Sequence, residues 1–173
     1  NGVAAELTRC VLEREDKVRI LDADALNIIA AEHIDYKGSS EGKIIITPHI
    51  MEMSRLTGKT VADIKEHMIE SAKEYAIQHS CICILKDART VVTDGQKVYI
   101  NCTGNDGMST GGCGDVLTGL IAGMTAMGLD AFEAACLSVY VHGKAGDYAA
   151  SGKGRAGMTA ADISEAIAYV LKR

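Results

Sequence analysis

Three short apolar runs, separated from one another by segments of helical spacing, limit the folds open to this chain more than any other feature. The runs are rich in β-branched residues and cover residues 18–22, 43–47 and 81–86. Runs of this kind predict buried strands, and strands separated by helices predict a mainly parallel sheet covered by helices on both faces. Residues 90–101 add a hairpin around Asp94 and Gly95. The sequence therefore predicts an α/β fold.

Helical patterns fill the rest of the chain. Two capping boxes are predicted, at Thr60 with Asp63 and at Thr159 with Asp162. Between Asp115 and Met127 the apolar residues form one stripe, and Gly119 and Gly123 are placed to let a neighbour approach closely. From residue 112 onward the chain is predicted to be helical throughout.

Composition excludes several classes of protein. With 173 residues and 47% hydrophobic content, the chain can bury a sizeable core and is predicted to form a single domain over residues 1–173. Its 18 basic and 23 acidic residues give a net charge of −5, without the basic patch of a nucleic-acid-binding protein. No apolar run reaches the ~18 residues of a membrane span. Six cysteines without a CxxC pair predict free thiols in a reducing, cytoplasmic setting.

A glycine-rich stretch precedes one of the predicted helices. Residues 111–114, Gly-Gly-Cys-Gly, allow successive backbone N–H groups to point outward beside a helix N-terminus, which is a typical anion site. Asp115 follows directly, and two interpretations stay open. It caps the helix, or it takes a proton from a hydroxyl that attacks a bound phosphoryl group.

Two better-known phosphate motifs do not match. Residues 56–60, LTGKT, resemble the end of a Walker A loop, but Met53 stands where the first glycine is required. A loop and a helix cap are predicted there instead. The glycine-rich stretch also lacks the GxGxxG spacing of a dinucleotide-binding loop.

Polar residues follow each predicted strand. Asp22, Asp24 and Asn27 follow the first run, His49 and Glu52 the second, and Lys86 the third. Open α/β sheets bind ligands at the carboxyl ends of their strands. Metal binding by Asp22, Asp24 and Asn27 stays open. So do ordinary structural roles: a helix cap for Asp24, a structural histidine at position 49, and a solvated turn at Lys86.

Six motifs together resemble one family. They are LDADALN (21–27), TPHIMEMSRL (47–56), the lysine turn before TVV, GNDGMSTGGCGDVLTGLIAG (104–123), VYVHGKAGD (139–147) and GMTAADI (157–163). In order and spacing they resemble the ADP- or ATP-dependent NAD(P)H-hydrate dehydratases of the ribokinase-like superfamily. The resemblance implies repair of hydrated NADH or NADPH, with ADP or ATP as co-substrate and Mg²⁺ as the accompanying ion.

The resemblance also implies roles for individual residues. Asp115 is the implied base and contacts the hydrate together with His49. The glycine turn at Gly112, Cys113 and Gly114 is the implied phosphate site. The implied nucleotide-binding residues are Lys86, Asp87, Ala88, Arg89, Thr90 and Gly114. Further candidate members of the site are Asp24, Asn27, Glu52 and Asn105, and no metal ligand is assigned.

Two departures from the family pattern stand out. Ile50 and Met51 replace the usual proline and glycine after the histidine, so the turn that holds Glu52 is expected to differ. The chain also opens inside a helical pattern that includes Val3 and Leu7. We therefore expect the C-terminal part of a longer domain, which associates with the missing N-terminal segment or forms a homo-oligomer. Under this expectation, the strand at 18–22 has lost one sheet neighbour.

Two other functions remain open at this stage. A ribokinase-like kinase of a small alcohol or vitamin precursor would use the same turn and aspartate but release a phosphorylated product. A non-catalytic fragment or assembly module would keep the fold without turnover. Product analysis separates these alternatives.

Overall fold

The chain forms two compact units in the computed structural model, which describes residues 2–39 and 43–172. The first unit comprises the residues up to Asp87 together with Val91–Ile100. The second comprises Ala88–Thr90 and the residues from Asn101 onward. The first unit holds the sheet, and the second is built from helices.

Strands and helices of the first unit follow the predicted order. The strands are β1 (Arg19–Leu21), β2 (Ile44–Ile46), β3 (Ile82–Leu85), β4 (Val91–Thr93) and β5 (Val98–Ile100). The helices are α1 (Gly2–Leu12), α2 (Asp24–Glu32), α3 (Ile50–Thr57), α4 (Val61–Glu66) and α5 (Met68–His79). Each predicted strand is present and is shorter than its apolar run at one or both ends.

The sheet has the strand order β1-β2-β3-β4-β5. β1, β2 and β3 are parallel, with Ile20 opposite Ile45 and Ile45 opposite Ile82. β4 and β5 form the predicted antiparallel hairpin. At its turn, Asp94 Oδ1 accepts hydrogen bonds from the backbone N–H groups of residues 96 and 97, at 2.9 and 2.7 Å, and Gly95 adopts φ 94°. A positive φ favours glycine at that position.

The central strand β2 is fully buried. Ile44, Ile45 and Ile46 each have 0% exposure. Because successive residues of a strand face opposite sides of the sheet, neither face of β2 is open to solvent. On one side, Ile44 and Ile46 pack in a core with Leu26 and Met53. Burial of each such side chain stabilises the fold by about 1.5–3 kcal/mol, which fixes the strand ends that follow.

β1 is the first strand of the sheet and pairs with β2 alone among the described strands. In the same unit, the predicted apolar stripe of α1 is solvent-exposed, at 72% for Val3 and 60% for Leu7. An unpaired strand edge together with exposed apolar side chains favours contact with another polypeptide. The expectation that such a contact covers β1 stays a prediction.

The second unit confirms the helical prediction for the last third of the chain. It contains a 3₁₀ turn (Asp106–Met108) and the helices α6 (Cys113–Ala126), α7 (Ala131–Lys153) and α8 (Ala160–Val170). Its core joins residues of all three helices and of the connection before α8: Cys113, Ala145, Ala149, Met158, Ile163 and Ala166. No helix within residues 2–39 and 43–172 combines the length and apolar character needed to cross a bilayer.

Glycines on α6 have more space than the sequence predicted. In the described part of the chain, no atom outside the local helix lies within 4 Å of a Cβ built at Gly119 or Gly123. The predicted close approach of a neighbour is therefore not made there. Leu117, Ile121 and Met124 of the predicted stripe are buried.

Both predicted capping boxes are present. Thr60 caps α4 with Asp63, and Thr159 caps α8 with Asp162. Gly58 ends α3 at φ 71°, so the LTGKT segment is a helix end followed by a helix cap, as predicted.

Candidate functional site

β2 leads into a helix cap built from a histidine and a glutamate. Glu52 Oε2 accepts a hydrogen bond from His49 N at 2.8 Å, and His49 Nδ1 accepts one from Glu52 N at 3.1 Å. Because Nδ1 is an acceptor, the proton of the neutral ring is on Nε2. The glutamate is 5% exposed, whereas half of the histidine side chain is open to solvent. Although Ile50 and Met51 replace the family's usual proline and glycine, α3 begins with a regular capping box, and this cap orients His49.

Lys86 is a paired cation at the end of β3. Its Nζ lies 3.0 Å from Asp22 Oδ1, and the two side chains are only 22% and 12% exposed. The Lys86 backbone N–H donates to Pro48 O at 2.8 Å, and Lys86 forms an isolated parallel bridge with His49. The residues that follow β1, β2 and β3 thus lie side by side. A solvated turn does not describe Lys86, since its ammonium is partly buried beside a carboxylate.

Ala23, between Asp22 and Asp24, has an uncommon backbone. Its φ is 48° and its ψ is −115°, and a non-glycine residue at such angles stores about 1–3 kcal/mol of strain. α2 has Ala23 as its N-cap and no side-chain cap bond. The alternative in which Asp24 caps this helix is therefore wrong, and Asp24 is an exposed first residue of α2.

Asn27 contacts a neighbouring helix. Its Oδ1 accepts a hydrogen bond from Arg55 Nη1 at 2.7 Å, and its Nδ2 donates to Ala23 O at 3.1 Å. Both polar atoms of the Asn27 side chain are thereby used in holding α2 and α3.

The connection after Lys86 is largely exposed. Asp87, Ala88 and Arg89 are open to solvent, and Thr90 is half-buried. Thr90 O accepts a hydrogen bond from Asn101 N at 2.9 Å, which ties this connection to the chain after β5.

The glycine turn ends in a helix N-terminus with free N–H donors. Gly112, at φ 88°, is the N-cap of α6. The Cys113 N–H donates to Thr110 O at 3.4 Å, while its thiol is buried and burial raises its pKa. Within the described residues, the N–H groups of Gly114 and Asp115 have no acceptor. Two unpaired donors at the positive end of a helix dipole can bind an anion.

Asp115 is the third residue of α6 and is exposed. The interpretation of Asp115 as N-cap is wrong, because Gly112 occupies that position. Its carboxylate makes no hydrogen bond within the described part of the chain. An accessible carboxylate beside an anion site can accept a proton from a bound hydroxyl.

Asn105 is held by a carboxylate that the sequence analysis did not select. Its Nδ2 donates to Asp147 Oδ1 at 3.1 Å, and Gly104 N donates to Asp147 Oδ2 at 3.0 Å. Asn105 Oδ1 in turn accepts from Gly107 N at 3.1 Å. Asp147 lies in the quoted VYVHGKAGD motif, four residues after the glycine at position 143, and the shared helix face could have drawn attention to it.

Comparisons with known proteins agree on one family. A profile of the family described as NAD(P)H-hydrate dehydratase matches residues 2–169. The chain belongs to the NAD(P)H-hydrate dehydratase family. A bifunctional NAD(P)H-hydrate repair enzyme of Moorella thermoacetica is 46% identical over 169 residues, which cover 96% of this chain and 32% of that protein.

Solved structures similar to this chain share its fold. The ADP/ATP-dependent NAD(P)H-hydrate dehydratase of Bacillus subtilis, co-crystallised with ATP and Mg²⁺, has a TM-score of 0.83 at 33% identity, over 92% of this chain and 56% of that one. A ribokinase-like superfamily protein of Enterococcus faecalis has a TM-score of 0.85 at 25% identity, over 98% and 58%. The ribokinase-like fold predicted from sequence is thereby confirmed. The chain spans about a third of the curated relative and little more than half of either solved chain.

Within the family's fold, the candidate residues fall into two local groups. The first unit brings Asp22, His49, Glu52 and Lys86 together at the strand ends. The second unit brings Gly112, Gly114 and Asp115 together at the start of α6. The pairing of Lys86 with Asp22 joins residues 64 positions apart, so no local pattern could have indicated it.

Proposed function

We propose that the chain carries the catalytic part of an NAD(P)H-hydrate dehydratase that uses ADP or ATP to convert hydrated NADH and NADPH into the working coenzymes. One observation carries the proposal: Asp115 stands free in the first turn of α6, beside two backbone N–H groups that have no acceptor in the described chain. Family membership supports it, and so does the Bacillus subtilis relative, described as ADP/ATP-dependent.

The chemistry follows from the two groups at the turn. Asp115 accepts the proton of the ring hydroxyl, whose oxygen attacks the terminal phosphorus of the nucleotide, and AMP or ADP leaves. The Gly114 N–H stabilises the negative charge on the transferred phosphoryl oxygens. The C–O bond of the phosphorylated ring then breaks, and loss of a proton from the adjacent carbon restores the ring double bond. Inorganic phosphate and NADH or NADPH are the products.

We assign binding of the nucleotide and of the hydrate to residues of the first unit and of the connection after Lys86. We assign the nucleotide to Lys86, Asp87, Ala88, Arg89 and Thr90, because Lys86 and Arg89 provide two cations for phosphate. We assign the hydrate to His49, whose ring is half exposed and oriented by Glu52. Nε2, which lies 3.4 Å from Glu52 Oε1, is the ring atom that we assign to contact the dinucleotide.

The described part of the chain contains no cluster of protein ligands for Mg²⁺. No group of three or more histidine, cysteine, aspartate or glutamate side chains is close enough there to hold a metal ion. Mg²⁺ commonly binds through nucleotide phosphates and one or two carboxylates. A bound ion would neutralise charge on the phosphates, and Asp115 is assigned as the base and not as a ligand of that ion.

We also propose a cytoplasmic location and association with a further polypeptide. All six cysteines are free thiols, and burial raises the pKa of Cys81 to about 12. Free thiols persist in reducing compartments. The open edge of β1 supports association with a second copy or with an N-terminal segment of the family domain.

Asp115→Asn tests the assignment. The amide keeps the size of the side chain but cannot accept the proton, so kcat is expected to fall about 10²–10⁴-fold while ATP affinity changes little. Regeneration of NADH from its hydrate is followed by absorbance, with chromatography of the nucleotide products. Asp130→Asn, at the cap of α7, is the matched control. Near-normal turnover of Asp115→Asn would remove the base assignment, and a stable phosphorylated alcohol would favour the kinase alternative.

A further inference from the structure

Residues 103–108, the segment before the glycine turn, pack directly against α7. Gly143 and Gly146 face this segment, and a Cβ at Gly143 would overlap Thr103 Oγ1 and lie 2.7 Å from the Thr103 carbonyl carbon. A Cβ at Gly146 would overlap Met108 Sδ. The absence of two side chains on α7 therefore allows residues 103–108 to approach the helix backbone.

Asp147 of α7 holds this segment by hydrogen bonds. Its two carboxylate oxygens accept from two different donors, Gly104 N at 3.0 Å and Asn105 Nδ2 at 3.1 Å. Gly104 has φ 100°, a conformation that favours glycine and turns its N–H group toward α7. Asn105 Oδ1 then caps the 3₁₀ turn through Gly107 N. Asp147 thus fixes where the segment leading to the turn begins.

The other end of the segment is anchored on the same helix. Cys113, the first residue of α6, is 6% exposed and packs in one core with Ala145 and Ala149 of α7. Residues 105–113 therefore have both ends held by α7, within one helical turn of each other. The position of Gly114 and Asp115 depends on both anchors.

From this geometry we infer that Asp147 is a positioning residue for the proposed phosphoryl transfer. It acts through Gly104 and Asn105 and fixes the glycine turn, so that the Gly114 N–H and the Asp115 carboxylate stay aligned on one phosphoryl group. The inference rests on the proposed function. A carboxylate suits this role because two donors converge on residue 147, and asparagine offers only one acceptor with an N–H group beside the second donor.

A reciprocal exchange tests this pairing. In Asp147→Asn one donor faces another donor, and in Asn105→Asp two carboxylates face each other. The double variant, which combines both substitutions, restores complementarity: the new amide donates to the new carboxylate, and its oxygen still accepts from Gly104 N. The second carboxylate oxygen at position 105 still accepts from Gly107 N.

The exchange has a defined kinetic signature. Because misplacement by about 1 Å can lower the rate of an aligned reaction about 100-fold, each single variant is expected to lose about 10–100-fold in kcat. The double variant is expected to recover most of that loss.

Two measurements on the full chain decide the inference. Amide hydrogen exchange at Gly104 and Gly107 is expected to accelerate at least about 10-fold in Asp147→Asn and to return in the double variant, because exchange requires these hydrogen bonds to open. kcat on hydrated NADH is measured on the same samples at a temperature where all are folded. Asp130→Asn again serves as the control and should leave both readouts unchanged.

The outcomes separate this inference from the proposed function. Unchanged exchange in Asp147→Asn, or faster exchange with unchanged kcat, overturns the positioning role, as does a double variant no better than the single ones. If the wild-type chain does not turn over hydrated NADH, the proposed function fails in this chain. ATP affinity measured by calorimetry then decides the positioning role: equal affinity in wild type and Asp147→Asn refutes it, and weaker binding restored by the double variant supports it.

Discussion

Replacement of Gly143 by alanine should measure how tightly the segment before the glycine turn packs on α7. The added Cβ would overlap Thr103 Oγ1, and two backbone atoms of Thr103 lie at 2.7 and 2.8 Å. Because those atoms are backbone, the segment must move, which weakens the Thr103 Oγ1 bond to Tyr140 O and the Asp147 bonds nearby. Two such bonds contribute about 2–4 kcal/mol, and the helix propensity of alanine offsets about 1 kcal/mol.

A net loss of about 1–3 kcal/mol is therefore expected for Gly143→Ala. At 173 residues, each kcal/mol corresponds to about 2–4 °C in Tm, so Tm should fall by about 2–12 °C. Thermal unfolding followed by circular dichroism measures it. Gly152→Ala, on the same helix with no atom within 4 Å of its Cβ, is the matched control and should be neutral or slightly stabilising. Equal Tm values for the two variants would refute the packing argument.

Three other variants give separate tests. Lys86→Ala should weaken ATP binding about 10–100-fold by calorimetry, because a charge-assisted phosphate bond is lost; unchanged affinity would leave Lys86 as the structural partner of Asp22. The hydrogen bond from Lys153, with those from Thr159, lowers the pKa of Asp162 to about 2. Its stabilisation is present above about pH 4 and is lost as the pH falls toward about 2. The Tm difference between wild type and Asp162→Asn should shrink over that range, and a constant difference from about pH 7 to about pH 2 would contradict the assignment. Gly119→Ala should raise the free energy of unfolding by about 0.5–1 kcal/mol, whereas a decrease would indicate a neighbour packed on α6.

The strands were predictable because their burial leaves a strong local pattern. Ile44, Ile45 and Ile46 are buried on both faces, and such strands consist of consecutive β-branched residues. The hairpin was equally clear from Asp94 and Gly95. The helix starts were harder to predict. The N-cap of α2 is Ala23 and not Asp24, and the N-cap of α6 is Gly112 and not Asp115. Backbone conformation at a positive φ decides these positions, and composition shows it only where glycine is present.

The polar pairs of the site could not be predicted from spacing. Asp147 meets Gly104 and Asn105 from 43 and 42 positions away, and Lys86 meets Asp22 from 64. Such contacts depend on how elements pack, while motifs report only neighbours along the chain. His49 and Glu52 were placed after the same strand from sequence, but the capping box that joins them was found only in the structure.

The spacing of residues along α7 determines which of them can face the segment that leads to the glycine turn. Because an α-helix turns about 100° per residue, one residue inserted between Gly143 and Ala149 would rotate everything after it relative to Gly143. An insertion before Asp147 would turn its carboxylate away from its donors, and one after Asp147 would turn Ala149 away from Cys113. Ser109 and Gly111, in the loop between Met108 and Gly112, are exposed and carry no such constraint. Natural variation in chain length should therefore be absent from this stretch of α7 and be tolerated in the loop that it holds.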